Sequence, residues 1–334
     1  MAMAIKKPKW LREYIEMRSI ELVNSNGMEV KLVNWGARIA SILVPIDDQL
    51  IEMLVTPEDN TLFLDDPFYL GATCGPVCNR ISNATFELNG KNFKLSQNDG
   101  ENCLHGGENN ISLRSWEVVE ISNDAVAFKL SLAHLEDGFP GNRELYVRYQ
   151  LSSENELKIE LEAVSDKDTP INMTNHAYFN LGEDNINNLM FKINTKEFVE
   201  RDYCGIPTGR LINTSKTGFS LTNWLNVRDF ICNSHYKQIL LEEGVDHCFV
   251  LDGADEISAA LMSENSGVKL FIETNQPSIQ IYTGKYLSEP FNSYQGICFE
   301  CQGYTDALNH SHFPSVILNK NEKYSKYISY QFVV

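Results

Sequence analysis

Apolar and polar side chains alternate with a period of two along much of the chain, the pattern of strands that bury one face. The alternation is cleanest at 145–151 (Leu-Tyr-Val-Arg-Tyr-Gln-Leu) and 157–163 (Leu-Lys-Ile-Glu-Leu-Glu-Ala), with apolar side chains on the odd positions of both runs. The polar link 152–155 (Ser-Ser-Glu-Asn) predicts a hairpin between them. A second hairpin is predicted over 85–95, where Asn89-Gly90 divides two short alternating runs; this dipeptide reaches the positive φ of a tight turn at little steric cost. Asn123-Asp124 and 265–267 (Asn-Ser-Gly) separate further strand-like runs. Helical periodicity is confined to short pieces near 221–230 and 236–243, neither long enough to cover a sheet. No repeat, low-complexity tract or flexible linker divides the chain. The expected fold is therefore all-β: one large antiparallel β-sandwich with few short helices, with residues 1–334 as a single domain.

Composition narrows the partners. The 334 residues include 45 acidic and 28 basic side chains, a formal charge of −17, so the chain lacks the basic surplus that nucleic acids and anionic membranes attract. Neither is expected as a partner. Residues 1–10 carry three lysines, but no apolar run of signal-peptide length follows. No stretch of about 18 apolar residues offers a spanning helix. The eight cysteines, at 74, 78, 103, 204, 232, 248, 298 and 301, lie among apolar neighbours. A chain of this length needs no disulfide staples, so reduced thiols and a cytoplasmic location are expected. Of the two local pairs, Cys298 and Cys301 fall in a strand-like run where odd spacing turns them to opposite faces. Packing as small hydrophobes is the plainer reading for both pairs, and no metal site is expected.

Candidate chemistry lies in four places. His105 precedes Gly106 and Gly107, a turn that lets a ligand approach the backbone closely, although a hydrogen-bonded turn histidine is the plainer reading of the spacing. At 174–181 (Thr-Asn-His-Ala-Tyr-Phe-Asn-Leu), alternation places Thr174, His176 and Tyr178 on one face and Asn175, Ala177 and Phe179 on the other. Glu300 stands in the apolar run 297–302, sharing a face with Gln302 while Phe299 and Cys301 point the other way. Burying a carboxylate there is costly unless it is paired, for example with Arg80, or used as a general base with a raised pKa. Asp246-His247 enters a further strand-like run as a polar pair. A phosphate-binding glycine loop, a G-x-S-x-G elbow and an H-E-x-x-H pair are all missing, which removes support for nucleotide, acyl-transfer and metalloprotease chemistry.

Seven segments, in order along nearly the whole chain, resemble the aldose 1-epimerase (galactose mutarotase) family. They are 78–81 (Cys-Asn-Arg-Ile), 104–107 (Leu-His-Gly-Gly), 137–141 (Asp-Gly-Phe-Pro-Gly), 174–181, 245–247 (Val-Asp-His), 278–284 (Ser-Ile-Gln-Ile-Tyr-Thr-Gly), and 300–302 (Glu-Cys-Gln) through 313–318 (Phe-Pro-Ser-Val-Ile-Leu). The resemblance implies a galactose mutarotase-like β-sandwich that interconverts the α and β anomers of a free hexose without a cofactor. By the family pattern Glu300 is the base and His176 the acid, while Asn79, Arg80, His105, Tyr178, Asp246 and Gln280 contact the sugar. In that scheme Asp246 accepts from two hydroxyls and Arg80 and His105 donate. The chain departs from the family at 75–78 (Gly-Pro-Val-Cys), at 303–306 (Gly-Tyr-Thr-Asp) and at 218–224 (Gly-Phe-Ser-Leu-Thr-Asn-Trp), which leaves the preferred sugar open. Two other functions fit the same fold: a non-catalytic sugar-binding protein, and a glycosidase using Asp246 and Glu300 as paired carboxylates.

Overall fold

The predicted hairpin at 145–163 forms the centre of the largest sheet. Arg143–Leu151 and Glu156–Ser165 pair antiparallel, and their odd residues are buried while most even residues face outward, as the alternation requires. The structure, a computed structural model, describes residues 16–218, 220–253 and 257–334; the lysine-bearing N-terminal stretch lies outside the described residues. The largest sheet has nine strands in the spatial order Glu117–Ile121, Ala125–Leu132, Arg143–Leu151, Glu156–Ser165, Lys323–Val333, Lys269–Thr274, Ala259–Ser263, Leu189–Ile193 and Leu225–Asn226. A six-stranded sheet runs Tyr178–Phe179, Ile297–Gln302, Ser278–Tyr282, Asp246–Leu251, Thr195–Arg201 and Pro207–Asn213. A four-stranded N-terminal sheet spans Ser19–Val23 to Gln49–Glu52.

One core joins these layers. Leu145, Val147, Leu157, Ile159 and Ile328 of the large sheet are buried with Phe249, Ile279, Ile281, Ile297 and Phe299 of the six-stranded sheet, and with Leu32, Ile39 and Ile42 of the N-terminal one. Phe179 packs edge-on against Tyr330 at 5.0 Å between ring centres and lies 6.4 Å from Phe299. The sheets are thus the two halves of a sandwich, each burying one face. The six-stranded sheet consequently has one face in this core and the other free to build a site.

The second predicted hairpin is present, with Thr85–Leu88 paired to Lys91–Lys94 and left-handed φ at Asn89 (51°) and Gly90 (72°). A Cβ at Gly90 would meet no atom within 4 Å, so Gly90→Ala adds backbone strain and nothing else. It is expected to lower the unfolding free energy by about 1 kcal/mol in urea denaturation.

Two sequence expectations require correction. Of the 221–230 stretch only the end is helical: Leu225–Asn226 joins the large sheet beside Met190 and Phe191, and the helix Val227–Asn233 starts after Asn226, whose side chain accepts from the Asp229 amide as an N-cap. The next helix, Lys237–Glu242, stops where Glu243 turns left-handed. The segment 174–181 is not one strand. Thr174–Asn175 pairs with Thr73–Cys74, whereas Tyr178–Phe179 joins the six-stranded sheet, and the chain bends at His176-Ala177 between them. Thr174 therefore does not join His176 and Tyr178 in lining the site; its hydroxyl is buried without a partner. No helix among the described residues is long and apolar enough to cross a membrane.

Candidate active site

Strand register assembles the floor of the site. Tyr178 is paired with Cys298, Cys298 with Tyr282, and Tyr282 with Asp246, so these four side chains form a row across four strands. The adjacent row carries Glu300 beside Gln280. His176, two residues before Tyr178, comes alongside Glu300, two residues after Cys298, because the strands run antiparallel. Its Nε2 lies 3.7 Å from Glu300 Oε1. Both side chains are almost fully buried, at 5 % and 3 % exposure, and Glu300 Oε2 has no hydrogen-bond partner. Phe299 and Cys301 face the core, as alternation requires.

Segments outside the sheet close the sides. Arg80–Ile81 pairs with Cys103–Leu104, which brings Asn79 and His105 together. The Asn79 amide donates to His105 Nδ1 at 3.2 Å, and the His105 amide donates to the Asn79 carbonyl at 3.1 Å. This reciprocal pair needs left-handed φ at Asn79 (60°) and His105 (51°). Gly106 follows at φ 92°, and a Cβ there would come within 2.2 Å of the Gly75 carbonyl oxygen, so only glycine lets the His105 loop press against its neighbour. The result is a cavity of about 310 Å³ whose lining includes His105, His176, Tyr178, Asp246, Tyr282 and Glu300, with Asn79, Arg80, Asp99 and Tyr69 on its sides.

Electrostatics divides the carboxylates into two kinds. Burial pushes Glu300 well above its ordinary value, the negative charge of Asp246 pushes it further, and Arg80 offsets only part of this. For Asp246 burial pushes the same way, but Arg201 and Arg80 outweigh it and hold the group well below the usual carboxylate range. Arg201 Nη1 donates to Asp246 Oδ2 at 2.7 Å, and Gln280 Nε2 donates to Oδ1 at 2.6 Å. Arg80 is shared between Asp99 at 2.7 Å and Asp246 at 3.6 Å, so the expected alternative of an Arg80–Glu300 salt bridge is not what Arg80 makes. Burial pulls His176 down to about 4. His105 is pulled well below its ordinary value by burial, His176 and Arg80. His247 turns to the opposite side of its strand, packs edge-on against Phe198 at 5.6 Å, and is held near 3 by burial.

One donor atom each from His105, His176 and Glu300 lie within 4.8 Å of one another, a two-histidine, one-carboxylate set. The donor chemistry opposes a metal there. Because the Asn79 amide occupies the Nδ1 lone pair of His105, the neutral ring carries its proton on Nε2. Nε2 therefore faces the cavity as a donor rather than as a ligand, which suits a hydroxyl or ring oxygen.

The structure brings seven of the eight sequence-derived residues to the cavity: Glu300, His176, Asn79, Arg80, His105, Tyr178 and Asp246. Tyr178 contributes its ring, since its hydroxyl donates to the Phe68 carbonyl at 3.0 Å. Gln280 stands behind the wall and orients Asp246 instead of facing the cavity. Tyr69, Asp99, Tyr282 and the supporting Arg201 are additions that sequence reasoning missed. Tyr282 was accessible, because it lies two residues beyond Gln280 on the same strand face. Nothing local marks Tyr69, Asp99 or Arg201. The departures at 75–78 and 303–306 sit behind the floor, where Cys78 contacts Gln302 at 3.1 Å and the Gly303 amide donates to Asn172 at 2.7 Å. None of the described residues of 75–78, 303–306 or 218–224 lines the cavity.

The family model for aldose 1-epimerase matches residues 18–331. The chain is 31% identical over 332 residues to the aldose 1-epimerase of Escherichia coli, covering 95% of each chain. It is 36% identical over 311 residues to that of Haemophilus influenzae, covering 87% of this chain and 88% of the other. Among solved structures, an aldose epimerase homologue from C. elegans superposes with a TM-score of 0.90 at 29% identity, covering 95% of this chain and 99% of the other. With a matching sandwich, a buried histidine–glutamate pair at the foot of a polar cavity and a family match spanning nearly its whole length, this chain belongs to the aldose 1-epimerase family.

Proposed function

We propose that the protein interconverts the α and β anomers of a free hexose of the galactose or glucose class, with Glu300 and His176 as the proton-transferring pair. The observation that carries this reading is the buried approach of Glu300 Oε1 to His176 Nε2 at the foot of a cavity walled by hydroxyl-binding groups. Opening the ring requires a proton to leave the C1 hydroxyl and another to reach the ring oxygen. Glu300 takes the first and His176 delivers the second. Rotation about C1–C2 turns the other carbonyl face inward, and closure runs the transfers in reverse with the roles exchanged.

Burial disfavours charge on both partners, so the sugar-free pair rests as a glutamic acid beside a neutral imidazole. The reactive form, glutamate beside imidazolium, differs only by the position of one proton. The net charge of the pair is unchanged, so a sugar whose hydroxyl donates to Glu300 and whose ring oxygen accepts from His176 stabilises the reactive arrangement. Asp246 stays ionised and serves as an acceptor anchor, while Arg80 and the Nε2–H of His105 supply donors. A glycosidase role for Asp246 fits less well, because Arg201 and Gln280 already hold its two oxygens. A reducing cytoplasm suits the free thiols, two of which, Cys204 and Cys232, are exposed.

Polarimetry of freshly dissolved α-D-galactose and α-D-glucose tests the reading. Rotation is expected to reach equilibrium faster with protein than in a weakly catalytic buffer, for at least one of the two sugars. A folded sample that accelerates neither would overturn it.

A further inference from the structure

Cys298 is a buried thiol placed against the histidine of the pair, and the proton-transfer scheme gives it no part. Its Sγ lies 3.5 Å from His176 Nδ1, within hydrogen-bonding reach for sulfur. It is fully buried, and it projects from the same strand face as Glu300, two residues away. Tyr178 is its cross-strand partner, and the Tyr178 hydroxyl donates to the Phe68 carbonyl at 3.0 Å.

We propose that Cys298 is a positioning residue for His176: its sulfur accepts the Nδ1–H of the imidazole, and Nε2 is thereby fixed as the nitrogen that exchanges a proton with the sugar. No covalent bond forms or breaks, and only the Nε2 proton moves. A neutral imidazole with hydrogen on Nδ1 has its lone pair on Nε2, aimed at Glu300. After protonation Nε2–H points to the ring oxygen while Nδ1–H keeps its sulfur partner. The same hydrogen bond thus serves both charge states, so the ring need not flip within a turnover. The choice of partner matters chemically. A carboxylate in this position would stabilise the imidazolium and blunt it as an acid, whereas a protonated thiol is a weak, neutral acceptor that orients the ring without adding charge. The other titratable groups facing His176 are Glu300, Asp246, His105, Tyr69, Tyr178 and Tyr282. None of them is recorded in contact with Nδ1.

This inference rests on His176 as a proton-transferring group, and its test separates the two. Nitrogen-15 NMR of the histidine rings in the sugar-free protein reads the tautomer without any turnover. The Nδ1–H form is expected at His176 in the wild type and a shift toward Nε2–H in Cys298→Ala, assigned by comparison with His176→Asn. In polarimetry, Cys298→Ala is expected to lower kcat roughly tenfold with KM within about twofold, because a loosened acid is misaligned rather than absent. Cys298→Ser, whose hydroxyl can accept the same Nδ1–H, is expected to restore most of the rate. An unchanged tautomer and kcat in Cys298→Ala would overturn the proposal. So would equal losses in the Ala and Ser variants that follow their melting temperatures, which would make Cys298 a packing residue only. If the wild type shows no mutarotation, the functional reading fails while the tautomer measurement still decides the hydrogen bond.

Discussion

Replacing Glu300 by Gln is expected to remove accelerated mutarotation while making the protein more resistant to heat. The amide keeps the size of the side chain but can neither take the C1 proton nor return one. A positioned acid or base contributes roughly 10²–10⁴ in rate, so the polarimetric rate constant should fall by at least the lower figure. The stability gain follows from linkage. Glu300 is held above its ordinary value of 4.5 in the folded chain; above that pH the unfolded chain releases the proton while the folded chain retains it. The native state is therefore progressively disfavoured as pH rises toward the folded pKa, and the handicap disappears below the ordinary value. Gln carries no such handicap. The melting temperature of the variant relative to wild type should rise as the pH is raised above 4.5, a signature of a side chain retained for chemistry at a cost in stability. Full activity in the variant, or a melting difference that shrinks with rising pH, would remove Glu300 from its role.

Arg201→Met is expected to weaken both the fold and the site, although Arg201 touches no sugar in the proposed scheme. Its guanidinium bridges Glu242 at 2.6 Å and Asp246 at 2.7 Å and is only 9 % exposed. Removing it leaves two partly buried carboxylates undercompensated, with Arg80 alone facing Asp246. Such losses cost about 3–5 kcal/mol when burial is complete; the 17 % exposure of both carboxylates reduces the expectation to about 2–3 kcal/mol by urea denaturation. Asp246 should then lose its depressed pKa and part of its orientation, raising KM for the hexose roughly tenfold, equivalent to about 1.4 kcal/mol of binding. A variant with unchanged KM would show that Gln280 and Arg80 suffice to hold Asp246.

The two effects have opposite origins. Glu300 is destabilised by a site whose burial and neighbouring Asp246 are only partly offset by Arg80, whereas Asp246, one strand further out than Gln280, receives two guanidiniums. Two carboxylates on one sheet face are thereby shifted in opposite directions, the arrangement the proposed proton carrier and fixed anchor require.

Much of this was legible from the chain alone. Period two at 145–151 and 157–163 dictated a hairpin with one buried face, and a carboxylate within the apolar run 297–302 announced either a paired or a working group. Asn89-Gly90 specified its turn because few dipeptides accept two left-handed residues. The ordered motifs added the family and, with it, roles for His176 and Asp246, which the local pattern had already singled out. These signals are local: they depend on the direction a side chain takes from its own strand, which alternation sets before the strand has a partner. What only the tertiary structure decided is who stands next to whom. Strand pairing placed Cys298 between Tyr178 and Tyr282 and put His176 abreast of Glu300. The bend at His176-Ala177, which removed Thr174 from the site, arose because Thr174–Asn175 found a different strand from Tyr178–Phe179. Arg201 and Gln280 became supports for Asp246, and Asp99 a partner for Arg80, through contacts across many intervening residues. Burial belongs to the assembled molecule as well. The residue type at 300 allows a charge, and only the packed sandwich, by excluding water and directing the guanidiniums mainly to Asp246, raises the group's hold on its proton.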